Sequence, residues 1–289
     1  MIQSEKNFCF CTLALGKKYI ALACLLAKDI EIHSPNTYLI VLTDDPEEFS
    51  RYSQVLAFKH QQQGVKCYHD KRFAIAKSLS LFNSCIFIDS DMRILASVPE
   101  DMQWLLTPGI SARACMDMPK KFAKVLAGTA NSKLVREFAV VQDATKMLNL
   151  EASWKDINFV HEYLFSVTKD SGKEIEFLNQ WEVLANYFEL NGIYEGEGNA
   201  IGLAAYKAGL TVRWSEMEGI SFFNNKIEIV KINKGQSNRD EISKYFEEHD
   251  KILYPKRSFL GKAIDKLGKA ITHFYRKIRF KIVRSSLLN

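Results

Sequence analysis

The sequence predicts an α/β fold, a mostly parallel mixed sheet flanked by helices, with a basic amphipathic helix at its C-terminal end. Three observations predict it. The chain opens strand, helix, strand; its early strands are apolar at nearly every position; and the apolar run at residues 84–88 leads straight into Asp89-Ser90-Asp91. Strands without polar alternation belong in a parallel sheet covered on both faces, and a strand–helix–strand order supplies the cover.

In chain order, residues 8–15 read as a buried strand closed by Gly16. Residues 17–32 follow a helical period, with Ile20, Ala23, Cys24, Ala27 and Ile30 on one face, until Pro35-Asn36 breaks it. Residues 37–43 are a strand ending in Asp44-Asp45-Pro46. Residues 65–68 read as a short strand, 71–82 as a helix and 84–88 as a buried strand. A further strand is expected near 109–115. A helix over 131–150 has Asn131 or Ser132 as its N-cap. Residues 157–168 read as one long strand, and 172–188 as an aromatic-rich helix. Residues 197–208 form a helix stopped by Gly209, and 211–214 and 226–232 read as short strands. Residues 1–250 are therefore expected to form the body, with halves at 1–120 and 121–250, and residues 251–289 a tail.

Composition narrows the class. At 289 residues, with 47% hydrophobic and 25% charged residues, the chain is neither disordered nor collagen-like nor a disulfide-stapled miniature. Its longest clean apolar run, 19–27, is nine residues, whereas a membrane span takes roughly 20. The start, Met1-Ile2-Gln3-Ser4-Glu5-Lys6, lacks the basic n-region and the cleavage site of a signal peptide, so none is expected. The six cysteines form no Cys-x-x-Cys, so reduced core thiols and a cytoplasmic location are expected.

Charge is uneven. Residues 251–289 hold 11 of the 39 Lys+Arg and a single acid, Asp265, giving +10 against −5 for the rest. A mildly acidic body argues against a nucleic-acid partner, and the tail reads as one docking element for something anionic. Its apolar positions Leu260, Ile264, Leu267, Ile271, Phe274, Ile278 and Ile282 recur at three- and four-residue spacing, a narrow helical stripe over 257–286. An anionic membrane surface is the expected partner of such a stripe. Packing on the body or on another subunit is the alternative.

The sharpest chemical feature is Asp89-Ser90-Asp91. Residues i and i+2 of an extended segment point to one side, so Asp89 and Asp91 converge on one hard cation such as Mg²⁺ or Mn²⁺. The C-terminal edge of an open α/β sheet is also where ligands bind. Around it, Lys71-Arg72-Phe73 precedes Cys85-Ile86-Phe87-Ile88-Asp89-Ser90-Asp91, and Thr12-Leu13-Ala14-Leu15-Gly16 with Tyr19, then Leu42-Thr43-Asp44, mark two earlier strand ends. Over residues 6–115 this pattern resembles the nucleotide-binding half of GT-A-fold glycosyltransferases, most of all family 8 and its relatives.

The resemblance implies a sugar transferase using a nucleoside-diphosphate sugar donor, with Asp89 and Asp91 holding Mn²⁺ or Mg²⁺ on the diphosphate. It implies donor contacts from Arg72 and Ser90, and a nucleoside pocket shaped by Thr12, Ala14, Tyr19 and Asp44. The acceptor would be a hydroxyl of a glycan or lipid-linked glycan. An acid opening a late helix commonly faces the acceptor or the anomeric carbon in such enzymes. Glu197 fits first and Glu195 second, in Tyr194-Glu195-Gly196-Glu197-Gly198. The family's Asn-Ser-Gly motif is absent, and its late His-x-x-Gly-x-x-Lys is met only by His249-Asp250-Lys251, without the glycine. His249 is thus a candidate third metal ligand, and Glu162, next to His161, a candidate sugar contact. Trp154 and Trp181 offer sugar-stacking surfaces or core packing, and Lys71 and Lys77 read as solvated. Two rivals remain: a haloacid-dehalogenase-like phosphatase with Asp89 as nucleophile, and a non-catalytic scaffold of the same fold. Phosphatases of that type place the strand early and a second acidic pair after it, whereas here 88 residues precede Asp89 and Asp44-Asp45 comes first.

Overall fold

The computed structural model describes residues 7–255 and 259–285, with the side chains of the last helix from 266 to 283. β1 (Phe8–Ala14) turns at Gly16 into α1 (Lys17–His33), followed by β2 (Leu39–Thr43) and β3 (Val55–Lys59). α2 (Lys71–Leu79) leads to β4 (Ser84–Ile88) and β5 (Met92–Ile94). Then come α3 (Gln103–Leu106), β6 (Gly109–Ala112), β7 (Cys115–Asp117) and the single turns α4 (Met118–Lys121) and α5 (Ala123–Leu126). α6 (Ser132–Met147), β8 (Asn158–Val160), β9 (Leu164–Thr168), α7 (Lys173–Leu190), α8 (Glu197–Ala208) and β10 (Val212–Trp214) follow. The chain ends with β11 (Phe222–Asn224), α9 (Asn225–Asn233), α10 (Ser243–Leu253) and α11 (Phe259–Ser285).

Seven strands form the central sheet in the order β10-β6-β9-β4-β1-β2-β3. All pairs are parallel except those of β9, which runs antiparallel between β4 and β6. Side chains alternate through the sheet as period two demands. Cys9, Cys11, Cys85 and Phe87 pack on one side with Trp181 and Phe188 of α7 and Ala200 of α8. Phe8, Phe10, Ile86 and Ile88 pack on the other with Ala23, Leu26 and Ile30 of α1. Each fully enclosed side chain such as Phe10 or Phe87 contributes about 1.5–3 kcal/mol by leaving water.

Two features bring distant segments to the C-terminal edge of β1, β2 and β4. Because β9 is reversed, the residues just before it, 161–163, arrive beside the end of β4. α8 lies close on β8: a Cβ on Gly198 would sit 2.3 Å from the Val160 carbonyl oxygen, and one on Gly202 1.8 Å from that of Asn158. Only glycine allows that approach, and it fixes Glu197, the first residue of α8, at the same edge.

α10 is pinned from the other direction. The buried Arg93 of β5 donates from Nε and Nη2 to Asp29 of α1, at 2.5 and 2.8 Å, and from Nη1 to Glu248 of α10. Bidentate Arg–carboxylate pairs of this kind fix geometry as well as adding energy.

The structure redraws three predicted strands. Residues 65–68 form no strand; they run into a 3₁₀ turn at Tyr68–Asp70. Side chains satisfy their backbone instead, with Val65 N donating to Glu189 (2.7 Å) and Gln63 N to Asp70 (2.7 Å). Residues 157–168 are two strands, because β8 pairs with β7 in a separate ribbon before β9 enters the main sheet. Residues 226–232 lie in helix α9, where the Asn224 side chain caps the amides of Lys226 and Ile227. Asn131 caps α6, its Oδ1 accepting from Leu134 N at 2.9 Å. All six cysteines are free, with Cys9, Cys11, Cys24 and Cys85 buried. Among the described residues no helix is long and apolar enough to cross a membrane.

Candidate active site

The Asp89 amide donates to the Tyr163 carbonyl (3.0 Å), carrying the β4–β9 ladder one residue past Ile88. Met92 N then donates to the Asp89 carbonyl (3.0 Å), closing a tight turn with Ser90 and Asp91 at its head. Across this turn stands Lys71, the first residue of α2 and only 6% exposed. Its Nζ lies 2.9 Å from Asp89 Oδ1 and 3.8 Å from Glu197 Oε1, and donates to the Glu162 carbonyl at 3.4 Å. One ammonium thus faces the carboxylates of Asp89, Glu162 and Glu197, with Asp91 beside Asp89.

Protonation follows from that crowding. Desolvation pushes the Asp89 carboxyl up to about 6, with Lys71 opposing and Asp91 adding to the rise. Burial pushes Glu197 up to about 8; the neighbouring Glu162 adds to this and Lys71 opposes it. Burial alone would discharge Lys71, but Asp89, Glu197 and Glu162 outweigh it and hold the ammonium charged. Glu197 therefore retains its proton at neutral pH, and the recess keeps an excess of acidic groups over its one base.

Two tyrosines border the recess. Burial raises the Tyr19 phenol, and the charges of Asp91 and Asp89 raise it further. Tyr68 is pushed up to about 12 by burial and by Glu195, Tyr19 and Glu197. On the β1–β2 side, Asp44 is exposed and accepts from Gly16 N at 2.8 Å, tying the first turn to the end of β2. Of the four residues expected to shape a nucleoside pocket, Tyr19 and Asp44 present surface there. Thr12 and Ala14 have none; they sit inside the sheet and support the edge from within.

His249 is enclosed beneath α10, its ring edge-on to Phe223 at 5.2 Å. Neither ring nitrogen has a hydrogen-bond partner. Burial lowers its pKa, keeping the imidazole neutral, while Asp91 is the foremost group acting the other way. Among the described residues no three His, Cys, Asp or Glu side chains already stand together as a metal cluster. The donor chemistry still fits a divalent ion: two carboxylates one residue apart, and a neutral imidazole whose orphaned nitrogens are within electrostatic reach of Asp91.

Other expected site residues lie elsewhere. Arg72 turns away from Asp89: it donates to the His69 carbonyl (2.9 Å), lies 3.5 Å from Glu182 and stacks on Phe73. Consecutive helical residues diverge by about 100°, so only one of the two bases opening α2 can face the sheet edge. That one is Lys71, which is buried and paired rather than solvated. Glu195 is exposed and clamped by Lys66 and by Lys133 (2.8 Å), which hold its carboxyl down at about 2. A carboxylate so stabilised is a poor proton acceptor, whereas Glu162 is the acid that neighbours Glu197. Lys77 stacks on Phe58, and Trp154 packs against Phe122 and Phe138. Trp181 is a core residue, donating to His69 Nδ1 at 3.2 Å, and His161 packs on Phe159. Tyr68 had no sequence signal at all. No protein-family model matches the chain, and no curated protein matches it.

Proposed function

We propose that this protein is a metal-dependent glycosyltransferase of GT-A type. It would move a sugar from a nucleoside-diphosphate sugar to a hydroxyl of a glycan or lipid-linked glycan. The observation that carries the reading is the recess at the end of β4: Asp89 and Asp91 in one turn, an unpartnered buried imidazole on α10, and a buried Glu197 carboxyl that holds its proton beside Glu162.

Asp89, Asp91 and His249 would hold Mn²⁺ or Mg²⁺, which supplies charge neutralisation for the departing diphosphate. Tyr19, Asp44 and Ser90 border the side where the nucleoside and phosphates would lie. Lys71 bridges Asp89 and Glu197 and holds both in place before the donor binds. Glu197 keeps its proton at neutral pH, and its ionised form, populated as pH rises, can accept the proton of the acceptor hydroxyl. The buried Glu197 carboxyl, with its raised affinity for protons, suits that task better than the clamped Glu195.

The tail supplies a location. Leu267, Ile271, Phe274, Ile278 and Ile282 of α11 are 44–68% exposed, so the stripe is not spent on the body. A basic helix with such a stripe supports peripheral binding to an anionic membrane surface on the cytoplasmic side. The stripe's first members, Leu260 and Ile264, lie outside the described side chains.

The test is thermal unfolding with a panel of nucleoside diphosphates, with and without Mn²⁺. A ligand at 100 times its Kd stabilises by about 2.7 kcal/mol. A Mn²⁺-dependent shift with one nucleotide, lost in Asp91→Ala, is the expected result. No shift with any nucleotide overturns the donor site and moves the Asp89–Asp91 pair to phosphatase chemistry.

A further inference from the structure

A cavity of about 570 Å³ lies between α11 and the 62–68 loop. Lys66 and Tyr68 line one wall, and Lys269, Thr272, His273 and Arg276 line the other. The four α11 residues are spaced i, i+3, i+4, i+7, which is one face of a helix. At 100° per residue that face is opposite the exposed stripe of Leu267, Ile271, Phe274, Ile278 and Ile282. The helix is anchored at both sides of the cavity: the His273 ring meets Tyr194 edge-on at 5.5 Å, and Phe280 is only 6% exposed. α11 thus has two jobs in its sequence, an apolar face turned outward and a basic face lining one wall of an open chamber.

Among the described residues, the chamber wall contains three long cationic side chains and a histidine, and no Asp or Glu. Glu195, which pairs with Lys66, is the acid next to it. Several bases converging on one cavity, with hydroxyls of Tyr68 and Thr272 among them, match a multiply charged oxyanion. Tyr68 joins the chamber to the recess, because its phenol also feels Tyr19 and Glu197. The donor diphosphate has its own place at Asp89 and Asp91. The chamber instead adjoins Tyr194 and Glu195, on the α8 side.

We propose that this chamber binds a phosphate or diphosphate group carried by the acceptor, so that the acceptor class is a phosphorylated glycan or a lipid diphosphate-linked glycan. The assignment to the acceptor rests on the transferase reading; the anion site itself does not.

The experiment is calorimetric titration of the full chain with inorganic pyrophosphate in EDTA, which removes metal from the recess. One-to-one binding is expected, weakened at least about ten-fold in the Lys269→Ala/Arg276→Ala double variant. Thr272→Glu, which adds an acid to the same wall without removing a base, is expected to weaken it in the same direction. Asp91→Ala is expected to leave it unchanged. Failure of the wild type to bind, or equal binding by both chamber variants while circular dichroism shows them folded, overturns the site. Displacement of pyrophosphate by glucose 6-phosphate or by geranyl diphosphate supports the acceptor assignment, and the tighter competitor names the source; displacement by neither overturns it. Equal loss of Mn²⁺–nucleotide binding in the chamber variants would assign the chamber to the donor and overturn the acceptor. Absence of any Mn²⁺–nucleotide response in the wild type, with pyrophosphate binding intact, sinks the transferase reading and leaves the anion site standing.

Discussion

In the recess, Lys71 is 6% exposed and sits among Asp89, Glu162 and Glu197, whose environment sets which of them holds a proton. On α11, by contrast, Leu267, Phe274 and Ile282 are 63–68% exposed on one face while Lys269 and Arg276 stand on the other. Both regions concentrate charge, but under different physics. In the recess, desolvation makes protonation the variable, so pH is the lever. On α11, attraction across solvent is the variable, so salt is the lever.

The largest effect is expected where the two carboxylates meet. Asp91→Ala should lower sugar transfer by about 10³-fold, as loss of one electrostatic element commonly does. Turnover of the variant above a tenth of wild type would break the assignment of chemistry to the recess.

Next is Glu197→Gln, expected to lower transfer by about 10²-fold. Its effect on stability should run the other way. The folded Glu197 carboxyl is raised from 4.5 to about 8, so the folded state holds a proton that the unfolded chain has released. Its contribution is therefore complete below pH 4.5 and lost as pH rises toward 8. Asp89, raised from 3.8 to about 6, and Glu189, raised from 4.5 to about 7, act in the same direction. Glu197→Gln should unfold at a higher temperature than wild type at pH 8, by about 1–2 kcal/mol, with the gap closing at pH 4.5. Parallel melting curves across that range would show that this carboxyl is not the titrating group.

Gly202→Ala tests how the recess is held. Its new methyl would meet the Asn158 carbonyl, forcing α8 off β8 at a cost of about 1–3 kcal/mol. Chemical denaturation should show that loss, and transfer should fall with it because Glu197 heads the same helix. An unchanged denaturation midpoint would mean α8 has slack that the packing does not show.

The smallest effect on chemistry is expected from α11. Phe274→Glu should release the protein from phosphatidylglycerol vesicles at 0.1 M salt, and 0.5 M salt should release wild type, with each surface base worth about 1 kcal/mol. Turnover of a water-soluble acceptor by Phe274→Glu should change by less than about two-fold. Vesicle binding that ignores both the salt and the substitution would put the stripe against a protein instead.

The parts of this arrangement visible in the sequence are those set by local period. The apolar runs of β1, β2 and β4, the helix from Glu197 to Gly209 and the stripe of α11 are written in spacing of two or of three and four. Asp89 and Asp91 stand out because they end a strand. Helix phase is less visible: of Lys71 and Arg72, nothing in composition says which faces the sheet. His249 has the right residue type, but its burial depends on Phe223 and on Arg93, Asp29 and Glu248, contacts between residues far apart in sequence. The strand expected over 226–232 alternates Lys, Ile, Glu, Ile, Val, Lys, Ile, yet lacks a neighbour to pair with, and the cap at Asn224 decides for a helix. Residues 157–168 carry strand residues throughout, and only the change of partner from β7 to β4 and β6 reveals the break.

The Arg93 linkage also sets an order of assembly. A ribosome-bound chain that has emerged only through α8 already carries Asp89, Asp91, Lys71 and Glu197, but not the imidazole at 249 nor the carboxylate at 248 that closes over Arg93. Such a nascent chain can build most of its sheet while the side of the recess next to Asp91 stays incomplete. Completion of the recess is thereby a late event in biogenesis, tied to arrival of the segment that leads directly into the outer helix.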